Sequence, residues 1–296
     1  MAGRFKKRLI IIGSGTLLLV GVTASQLSVI GAALILHPAH RHVVVAPPPE
    51  YHEVTFSGEG VSLRGWRGRA SGDRRGTLIY LHGVADNRAS GAGVIERFRM
   101  RGFDVVAYDS RAHGESGGES TTYGFFERED LRRVLDAIDP GPVVLFGSSL
   151  GAAVALQTAA VDRRISAVVA AESFSDLRTV VTERAPFFFT NATVRRAIAL
   201  AEQKGNFQID EVSPELAART ITSPVLLIHG ASDKETPPAH SSRLFAALTG
   251  PKRLILVPEA GHNESLRGNV WEDIERWIDK VVSSTTGEEG GAPDSD

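Results

Sequence analysis

Residues 143–156 read VVLFGSSLGAAVAL: an apolar run, a serine among small residues, and an alanine- and leucine-rich continuation. A short apolar run that ends at a turn is typical of a strand covered on both faces, and the continuation favours a helix. The stretch therefore predicts a strand, a sharp turn at Ser149 and a helix. In open α/β sheets, ligands bind beyond the carboxyl ends of the strands, where this serine would lie.

The same alternation of strands and helices extends to both sides of this stretch. Two short strands, Glu53–Phe56 and Val61–Trp66, are predicted to form a hairpin, and the further strands are GTLIYLHG, FDVVAYDS, PVVLFG, ISAVVAAE, PVLLIHG and KRLILVPEAGH. Helices are predicted near residues 86–101, 125–138, 150–160, 240–248 and 266–282. The pattern indicates an α/β fold: a mostly parallel eight-stranded sheet with helices on both faces, within one domain over residues 52–283.

Composition narrows the classes of function. The 296 residues carry a formal net charge of −2 and no cysteine. The balanced charge argues against a nucleic-acid partner, since basic residues cluster only at the N-terminus. The absence of cysteine excludes disulfides, thiolate metal sites and cysteine nucleophiles, and leaves the compartment open.

Polar residues that catalysis uses follow several of the predicted strands. Ser149 follows PVVLFG, Asp233 follows PVLLIHG, and His262 ends the last strand motif. A serine hydroxyl becomes a good nucleophile only with a base within hydrogen-bond reach, and a carboxylate fixes the tautomer of that base. The sequence therefore predicts Ser149 as nucleophile, His262 as general base and Asp233 as its orienting acid.

The turn around Ser149 also predicts how the oxyanion of an acyl-transfer reaction would be held. Gly147 and Gly151 remove side chains that would separate the strand from the helix. The backbone N–H of Leu150 and one from the His82-Gly83-Val84 turn, assigned to Val84, are the predicted oxyanion hole.

From about Glu53 to Val282 the chain resembles an α/β-hydrolase-fold serine hydrolase, in particular the membrane-anchored esterase-like and acylglycerol-lipase-like branch with a short cap. The motifs that carry this resemblance are LHGVADN, DSRAHGESGG, GSSLG, HGASDKETP and AGHNE, in family order and each after a predicted strand. The resemblance places the nucleophile, acid and base on Ser149, Asp233 and His262. It implies hydrolysis without a metal or an organic cofactor.

Several other residues have competing interpretations. Glu235 lies near Asp233, and Asp176 or Asp210 would approach from the cap, so each is an alternative acid. His82, His113 and His229 stand beside glycines and are interpreted as loop-shaping residues. Ser148 is interpreted as a structural neighbour of Ser149, and Glu172 either lines the site or is a buried hydrogen-bonding residue.

An insertion after the sixth strand, about residues 173–223, predicts a small helical cap over Ser149. It contains Phe187, Phe188 and Phe189 in a row. These rings are candidates for an acyl pocket, for contact with a bilayer, or for the core of the cap. Asn191-Ala192-Thr193 is a glycosylation sequon, which matters only in a eukaryotic lumen.

The N-terminus predicts a membrane anchor. Residues 1–8 contain four basic residues, and residues 9–36 contain no charged residue. A run of this length is sufficient to span a bilayer, and the basic flank predicts a cytoplasmic N-terminus with the catalytic domain on the extracytoplasmic side. A signal peptide cleaved near Val22-Thr23-Ala24 is the alternative, and a buried core helix is the weakest interpretation.

Two polar segments flank the domain. Residues 37–51 are proline-rich and predict a stiff spacer, in which His37, His40 and His42 are an interfacial cluster or, less favoured, a metal site. Residues 284–296 are acidic and glycine-rich, which predicts a disordered tail.

The expected activity is hydrolysis of a carboxylic ester, lipid-derived esters included, through an acyl-enzyme. The expected partners are that small-molecule or lipid ester and the membrane. Two alternatives remain open: a peptidase or amidase of the same fold, and a catalytically silent protein that binds a ligand or a partner at the membrane.

Overall fold

The computed structural model describes residues 25–287, with side chains to residue 283. Its centre is a sheet of the eight predicted strands, which confirms the predicted fold class. The strands are β1 (Tyr51–Ser57), β2 (Ser62–Gly68), β3 (Gly76–Leu81), β4 (Phe103–Tyr108), β5 (Val143–Ser148), β6 (Ile165–Ala171), β7 (Val225–Gly230) and β8 (Lys252–Val257). Their spatial order is β1-β2-β4-β3-β5-β6-β7-β8. Only the β1–β2 and β2–β4 pairs are antiparallel, so the predicted hairpin forms one edge.

Helices cover both faces of the sheet. They are α1 (residues 25–36), α2 (Ala92–Arg99), α3 (Glu127–Asp136), α4 (Leu150–Ala159), α5 (Leu177–Glu183), α6 (Asn191–Gly205), α7 (Pro214–Ala218), α8 (Ala239–Ala247) and α9 (Val270–Gly287). Helix α2 begins later than predicted, after a 3₁₀ turn at Arg88–Gly91. The Asp109 carboxylate accepts a hydrogen bond from the Arg88 N–H at 2.7 Å, which holds that turn against the sheet. Helix α9 runs four residues into the predicted tail; residues 288–296 lie outside the described residues.

The two faces of each central strand bury different side chains, as expected for a sheet with period-two alternation. Leu78 and Tyr80 face the core beneath α2 and α9, whereas Ile79 and Leu81 face the core beneath α3, α4 and α8. Because all four are at most 5% exposed, β3 lies at the centre of the protein. The carboxyl end of β3 is therefore held rigidly beside those of β4 and β5.

A third cluster of buried apolar residues lies outside the sheet. It joins α1 to the chain between β6 and β7, residues 172–224, which we call the β6–β7 segment. This segment contains α5, α6, a 3₁₀ turn and α7. The buried side chains that hold it to α1 include Leu177, Val194, Ile198 and Phe207.

The last twelve residues of the predicted anchor form helix α1, and one part of its surface packs against protein. Ala32 and Leu36 are at most 1% exposed against the β6–β7 segment, whereas Leu34 is 62% exposed. Among residues 25–287, no helix combines the length and the apolarity needed to cross a membrane. The rest of the predicted anchor, residues 9–24, and the basic residues 1–8 lie outside the described residues.

The chain that follows α1 lies along the α/β domain. The His37 ring binds the Glu119 carbonyl oxygen at 2.7 Å, and the His40 ring binds the carbonyl oxygen of Gly114. The Asn87 side-chain amide donates to the carbonyl oxygen of Arg41 at 3.1 Å. These contacts fix the path of the residues predicted as a spacer.

If α1 is part of the folded core, substitutions of its buried and its exposed residues should lower the free energy of unfolding by different amounts. Leu36→Ala should lower the free energy of unfolding by about 2–5 kcal/mol, because it removes a fully buried side chain. The matched control, Leu34→Ala, should stay within about 0.5 kcal/mol of the parent. Urea unfolding of the full chain in one mild detergent, followed by circular dichroism, measures both. Equal costs would show that Leu36 is not buried against the domain.

Candidate active site

Ser149 lies in a strained turn between β5 and α4. Its backbone has φ 50° and ψ −110°, a conformation that residues other than glycine rarely adopt. A β-carbon on Gly151 would lie 2.1 Å from the Leu81 carbonyl oxygen, and one on Gly147 would lie 2.4 Å from the backbone of Gly151. Both distances are below van der Waals contact, so only glycine fits at either position. The close approach forces the backbone to turn sharply at Ser149.

The three residues predicted as the triad lie in hydrogen-bond contact. The Ser149 hydroxyl lies 3.1 Å from His262 Nε2, and His262 Nδ1 lies 2.7 Å from Asp233 Oδ2. The side chains of His262 and Asp233 are 5% and 0% exposed. With Nδ1–H donating to the carboxylate, Nε2 is free to accept the serine proton.

Asp233 is held by more than its contact with His262. Its Oδ1 accepts the backbone N–H groups of Glu235 and Thr236, each at 2.9 Å. His229 Nε2 lies 3.3 Å from Oδ2. Burial by itself would raise the pKa of the Asp233 carboxyl, but the bonds from His229, His262 and Thr236 outweigh it and leave the pKa well below its usual value. Asp233 is therefore ionised whenever His262 needs a counter-charge.

The other acids considered from the sequence lie in different contacts. Asp210 pairs with Arg178 at 2.5 Å, and Asp176 caps α5 by accepting the Thr179 N–H. Glu235 contributes its backbone N–H to Asp233 and its carbonyl oxygen to Arg184. None of the three carboxylates makes a hydrogen bond to His262 in the described part of the chain.

The two residues predicted as oxyanion donors, Val84 and Leu150, both lie close to Ser149. A β-carbon on Gly83 would lie 3.6 Å from Ser149 Cβ, which places the turn after β3 directly beside the serine. Val84 lines the same pocket as Ser149 and His262. Leu150 is the first residue of α4, so its N–H belongs to the group of helix-terminal donors without an intrahelical acceptor. The N-terminus of α4 also favours negative charge at this point.

Glu172 positions the loop that carries His262. Its carboxylate accepts the backbone N–H of Asn263, and the N–H of Ser265 at 3.1 Å, while the side chain is 1% exposed. His262 Nδ1 lies 4.0 Å from Glu172 Oε2. The sequence allows two interpretations of Glu172: a residue that lines the site, or a buried hydrogen-bonding residue. An acid directly after a buried strand was the only signal for it, because its partners lie about 90 residues further along the chain.

The three histidines interpreted as loop-shaping are buried and hydrogen-bonded near the strand ends. His82 Nδ1 donates to the Gly83 carbonyl oxygen at 2.7 Å, and its Nε2 accepts the Ser110 N–H at 2.9 Å. Burial, and then the nearby His113 ring, lower the pKa of His82 to about 4. His82 is thus neutral at pH 7. His113 Nδ1 binds the Arg111 carbonyl oxygen, and His229 Nδ1 binds the Ser241 hydroxyl.

Two neighbouring pockets lie near the serine, and they share Val84, Ala85 and Arg184. The first, of about 160 Å³, is polar and is lined by Ser149, His262, Asp86, Glu235, Arg41 and Arg184. The second, of about 290 Å³, is mainly apolar and lies between α1, α5 and α6. Of the three phenylalanines, Phe189 lines the apolar pocket, whereas Phe187 and Phe188 are 99% and 55% exposed.

Comparison with known proteins establishes the family. A family model for the alpha/beta hydrolase fold matches residues 76–200. An uncharacterized protein of Mycobacterium tuberculosis is 30% identical over 255 residues, covering 83% of this chain and 81% of the relative. The uncharacterized protein YqkD of Bacillus subtilis is 29% identical over 242 residues, covering 77% and 79%. The chain belongs to the α/β-hydrolase family.

Solved structures agree on the fold. An esterase of Pyrococcus furiosus superposes with a TM-score of 0.66 at 23% identity, covering 84% of this chain and 98% of the esterase. The acylaminoacyl peptidase of Pyrococcus horikoshii superposes with a TM-score of 0.62 at 14% identity, covering 78% of this chain and 41% of the peptidase. At these identities the similarity establishes the shared fold, and different activities use it.

The lowered pKa of His82 predicts a pH-dependent stability. Because the pKa is about 4 in the folded protein and about 6.5 unfolded, the unfolded chain binds the proton more tightly between these values. The contribution of the neutral His82 ring to the free energy of unfolding is therefore complete above pH 6.5, and it is lost as the pH falls towards 4. Between pH 7.5 and pH 5, the parent should lose roughly 1–2 kcal/mol more unfolding free energy than His82→Gln.

Urea titrations of the two proteins at both pH values measure that difference. His113→Gln is a second test variant. Burial also lowers the pKa of the His113 ring, so removing this ring should reduce the pH dependence in the same direction. Parallel pH profiles for the parent and His82→Gln would contradict a neutral buried His82.

Proposed function

We propose that the protein is a serine hydrolase that cleaves carboxylic esters through an acyl-enzyme. The observation that carries the proposal is the continuous set of contacts from Ser149 through His262 to the buried Asp233, with the serine in a strained turn. Backbone strain of this kind costs about 1–3 kcal/mol and persists where the surrounding structure imposes it, often at active sites.

In the first step, the Ser149 oxygen attacks the ester carbonyl carbon while its proton moves to His262 Nε2. The carbonyl oxygen becomes an oxyanion between the N–H groups of Val84 and Leu150. The tetrahedral centre then expels the alcohol, which takes the proton from His262, and the acyl group stays on Ser149. Asp233 remains ionised throughout and stabilises the imidazolium.

In the second step, a water molecule enters the polar pocket and attacks the acyl-enzyme. His262 accepts the proton of that water, and the collapse of the second tetrahedral centre releases the acid and restores the serine hydroxyl. Ser149, His262, the ester and one water molecule account for every proton in the two steps. Loss of one oxyanion donor in comparable enzymes costs about 2.7–4 kcal/mol of transition-state stabilisation.

The same residues would also attack an amide, so a peptidase or amidase is the second candidate. We place esters first because an ester carbonyl is more electrophilic than an amide carbonyl, and because an alkoxide leaves a tetrahedral centre more readily than an amide anion. The silent, ligand-binding alternative requires a site in which the serine and the histidine do not react. The contact of 3.1 Å between Ser149 and His262 argues against it.

Labelling by a fluorophosphonate tests the proposal on the full chain. The probe should modify Ser149 alone, and p-nitrophenyl esters should be hydrolysed faster than the matching p-nitroanilides. Ser149→Ala should abolish both labelling and turnover, a loss of at least about 10³-fold in kcat. The control is Ser148→Ala, which alters the neighbouring hydroxyl and should retain labelling.

The outcomes separate the candidates. Faster turnover of anilides would favour the amidase, and folded protein that neither labels nor hydrolyses any substrate would favour the silent alternative. Labelling unaffected by Ser149→Ala would contradict the nucleophile assignment.

We also propose that the protein is tethered to a membrane, with its N-terminus cytoplasmic and its catalytic domain extracytoplasmic. The support is the basic cluster in residues 1–8, followed by the uncharged residues 9–24. Exposed apolar side chains continue from there along α1 and onto the β6–β7 segment: Val29, Ile30, Leu34, Phe187 and Phe188. On this proposal the membrane span runs from residue 9 into the first turn of α1, the rest of α1 lies at the membrane surface, and the β6–β7 segment covers Ser149 as a cap.

Protease accessibility in spheroplasts that express the full chain tests the orientation. Protease added outside should digest the domain, while a cytoplasmic marker protein stays intact. The chain should remain in the membrane pellet after carbonate extraction. Digestion only after lysis would reverse the orientation, and release by carbonate would contradict the tether.

A further inference from the structure

Helix α1 both packs against the β6–β7 segment and lines a pocket. Ala32 and Leu36 are buried in the cluster that α1 shares with this segment. Gly31, Leu34 and Ile35 line the apolar pocket of about 290 Å³. The opposite wall of this pocket comes from α5 and α6. A segment that the sequence predicted as a lipid-spanning anchor thus encloses a cavity of the catalytic domain.

The apolar pocket borders the polar pocket that contains Ser149. Val84, Ala85 and Arg184 border both this pocket and the polar pocket that contains Ser149 and His262. Val84 is also the residue assigned to the oxyanion hole. An ester carbonyl held at Val84 would therefore have the apolar pocket on one side and the polar pocket on the other.

The difference in polarity between the two pockets orients a bound ester. The apolar pocket contains aliphatic and aromatic side chains, among them Leu177, Val181 and Phe189. The Arg184 guanidinium, at the boundary, donates to the Glu235 carbonyl oxygen at 2.7 Å, which ties its charge to the polar side. An alkyl chain gains by leaving water for the apolar pocket, whereas a polar alcohol does not.

Helix α1 is fixed well enough to act as a wall. A β-carbon on Gly31 would lie 2.8 Å from Ala197 Cβ, so the helix lies directly against α6. Its last turn is held by two hydrogen bonds: Tyr123 donates to the Ile35 carbonyl oxygen at 3.0 Å, and the Thr121 N–H donates to that of Leu36 at 2.9 Å. These contacts set the width of the pocket.

We propose that α1 is one wall of the acyl-binding pocket and that Leu34 limits the length of the acyl chain. This inference rests on the proposed esterase activity. An apolar cavity of ~150 Å³ holds one benzene, so a pocket of about 290 Å³ accommodates about ten carbon atoms. The substrate class is an ester of a medium-length fatty acid with a polar alcohol.

Burial of each methylene contributes up to about a fourfold increase in kcat/KM, from its transfer free energy. The specificity constant for p-nitrophenyl esters should therefore rise from acetate to about decanoate and then stop rising. Leu34 is largely exposed at the rim of the pocket, so a larger side chain there enters the pocket without disturbing the buried core.

The decisive experiment measures kcat/KM for acetate, octanoate, decanoate and palmitate esters with the full chain in one detergent. Leu34→Trp should lower the ratio of kcat/KM for decanoate to kcat/KM for acetate at least tenfold. Val29→Trp, an exposed position on α1 that does not line the pocket, is the matched control and should match the parent. Val181→Phe narrows the pocket from α5 and should reduce decanoate turnover as well.

Each outcome bears on one proposal. A parent with no preference for longer chains, or an effect of Val181→Phe without one of Leu34→Trp, would overturn the role of α1 and leave the esterase intact. Equal losses on acetate and decanoate in Leu34→Trp would also overturn it, since they indicate damage to the catalytic residues. A parent that hydrolyses no ester would contradict the proposed function itself, and the inference would fall with it.

Discussion

The contact on which the site depends is the close approach of α4 to the centre of the sheet. Gly151 lies so near the Leu81 carbonyl oxygen that no side chain fits between them. The backbone must reverse direction within a few residues, and Ser149 takes the strained conformation that results. Burial of β3 and β5 on both faces supplies the rigidity that keeps this conformation. The position of the nucleophile is thus a property of the core, and the loops around it add the remaining groups.

Those loops are held by buried acids rather than by regular secondary structure. Asp233 gathers two backbone N–H groups and two imidazoles, and Glu172 gathers two backbone N–H groups of the loop after β8. Unpaired carboxylates would be costly at such burial, so each loop is stable only in the arrangement that satisfies its acid. Asp233 therefore fixes the His262 ring, and Glu172 fixes the backbone of the loop that carries it.

Much of this arrangement was predictable from the sequence because its signals are local. The apolar runs predicted all eight strands, and the polar residues at their ends predicted Ser149, Asp233 and His262, which the structure brings into contact. The exact start of α2 was not predictable, since it depends on the contact between Arg88 and Asp109 across 21 residues. The position of Glu172 depends on partners still further away.

The packing of α1 was beyond the reach of sequence patterns for a different reason. An uncharged apolar helix has the same pattern whether lipid or protein surrounds it, and its partners Val194 and Ile198 lie more than 150 residues away. The exposed Leu34 and the buried Leu36 are the same residue type two positions apart. Only the folded β6–β7 segment distinguishes them.

The packing of α1 against the domain also separates two roles of the N-terminal apolar run: attachment to a membrane and lining of the pocket. Helix α1 begins at residue 25, directly after Ala24, the last residue of the small-residue motif at Val22-Thr23-Ala24, and its contacts with the rest of the protein include those of Ser28, Ala32 and Leu36. On the proposed tether, a chain cut after that motif would lose residues 9–24 but keep the helix beside the pocket. Tethered and released forms of the proposed esterase would then share one substrate range, and processing would change where the protein works without changing what it cleaves.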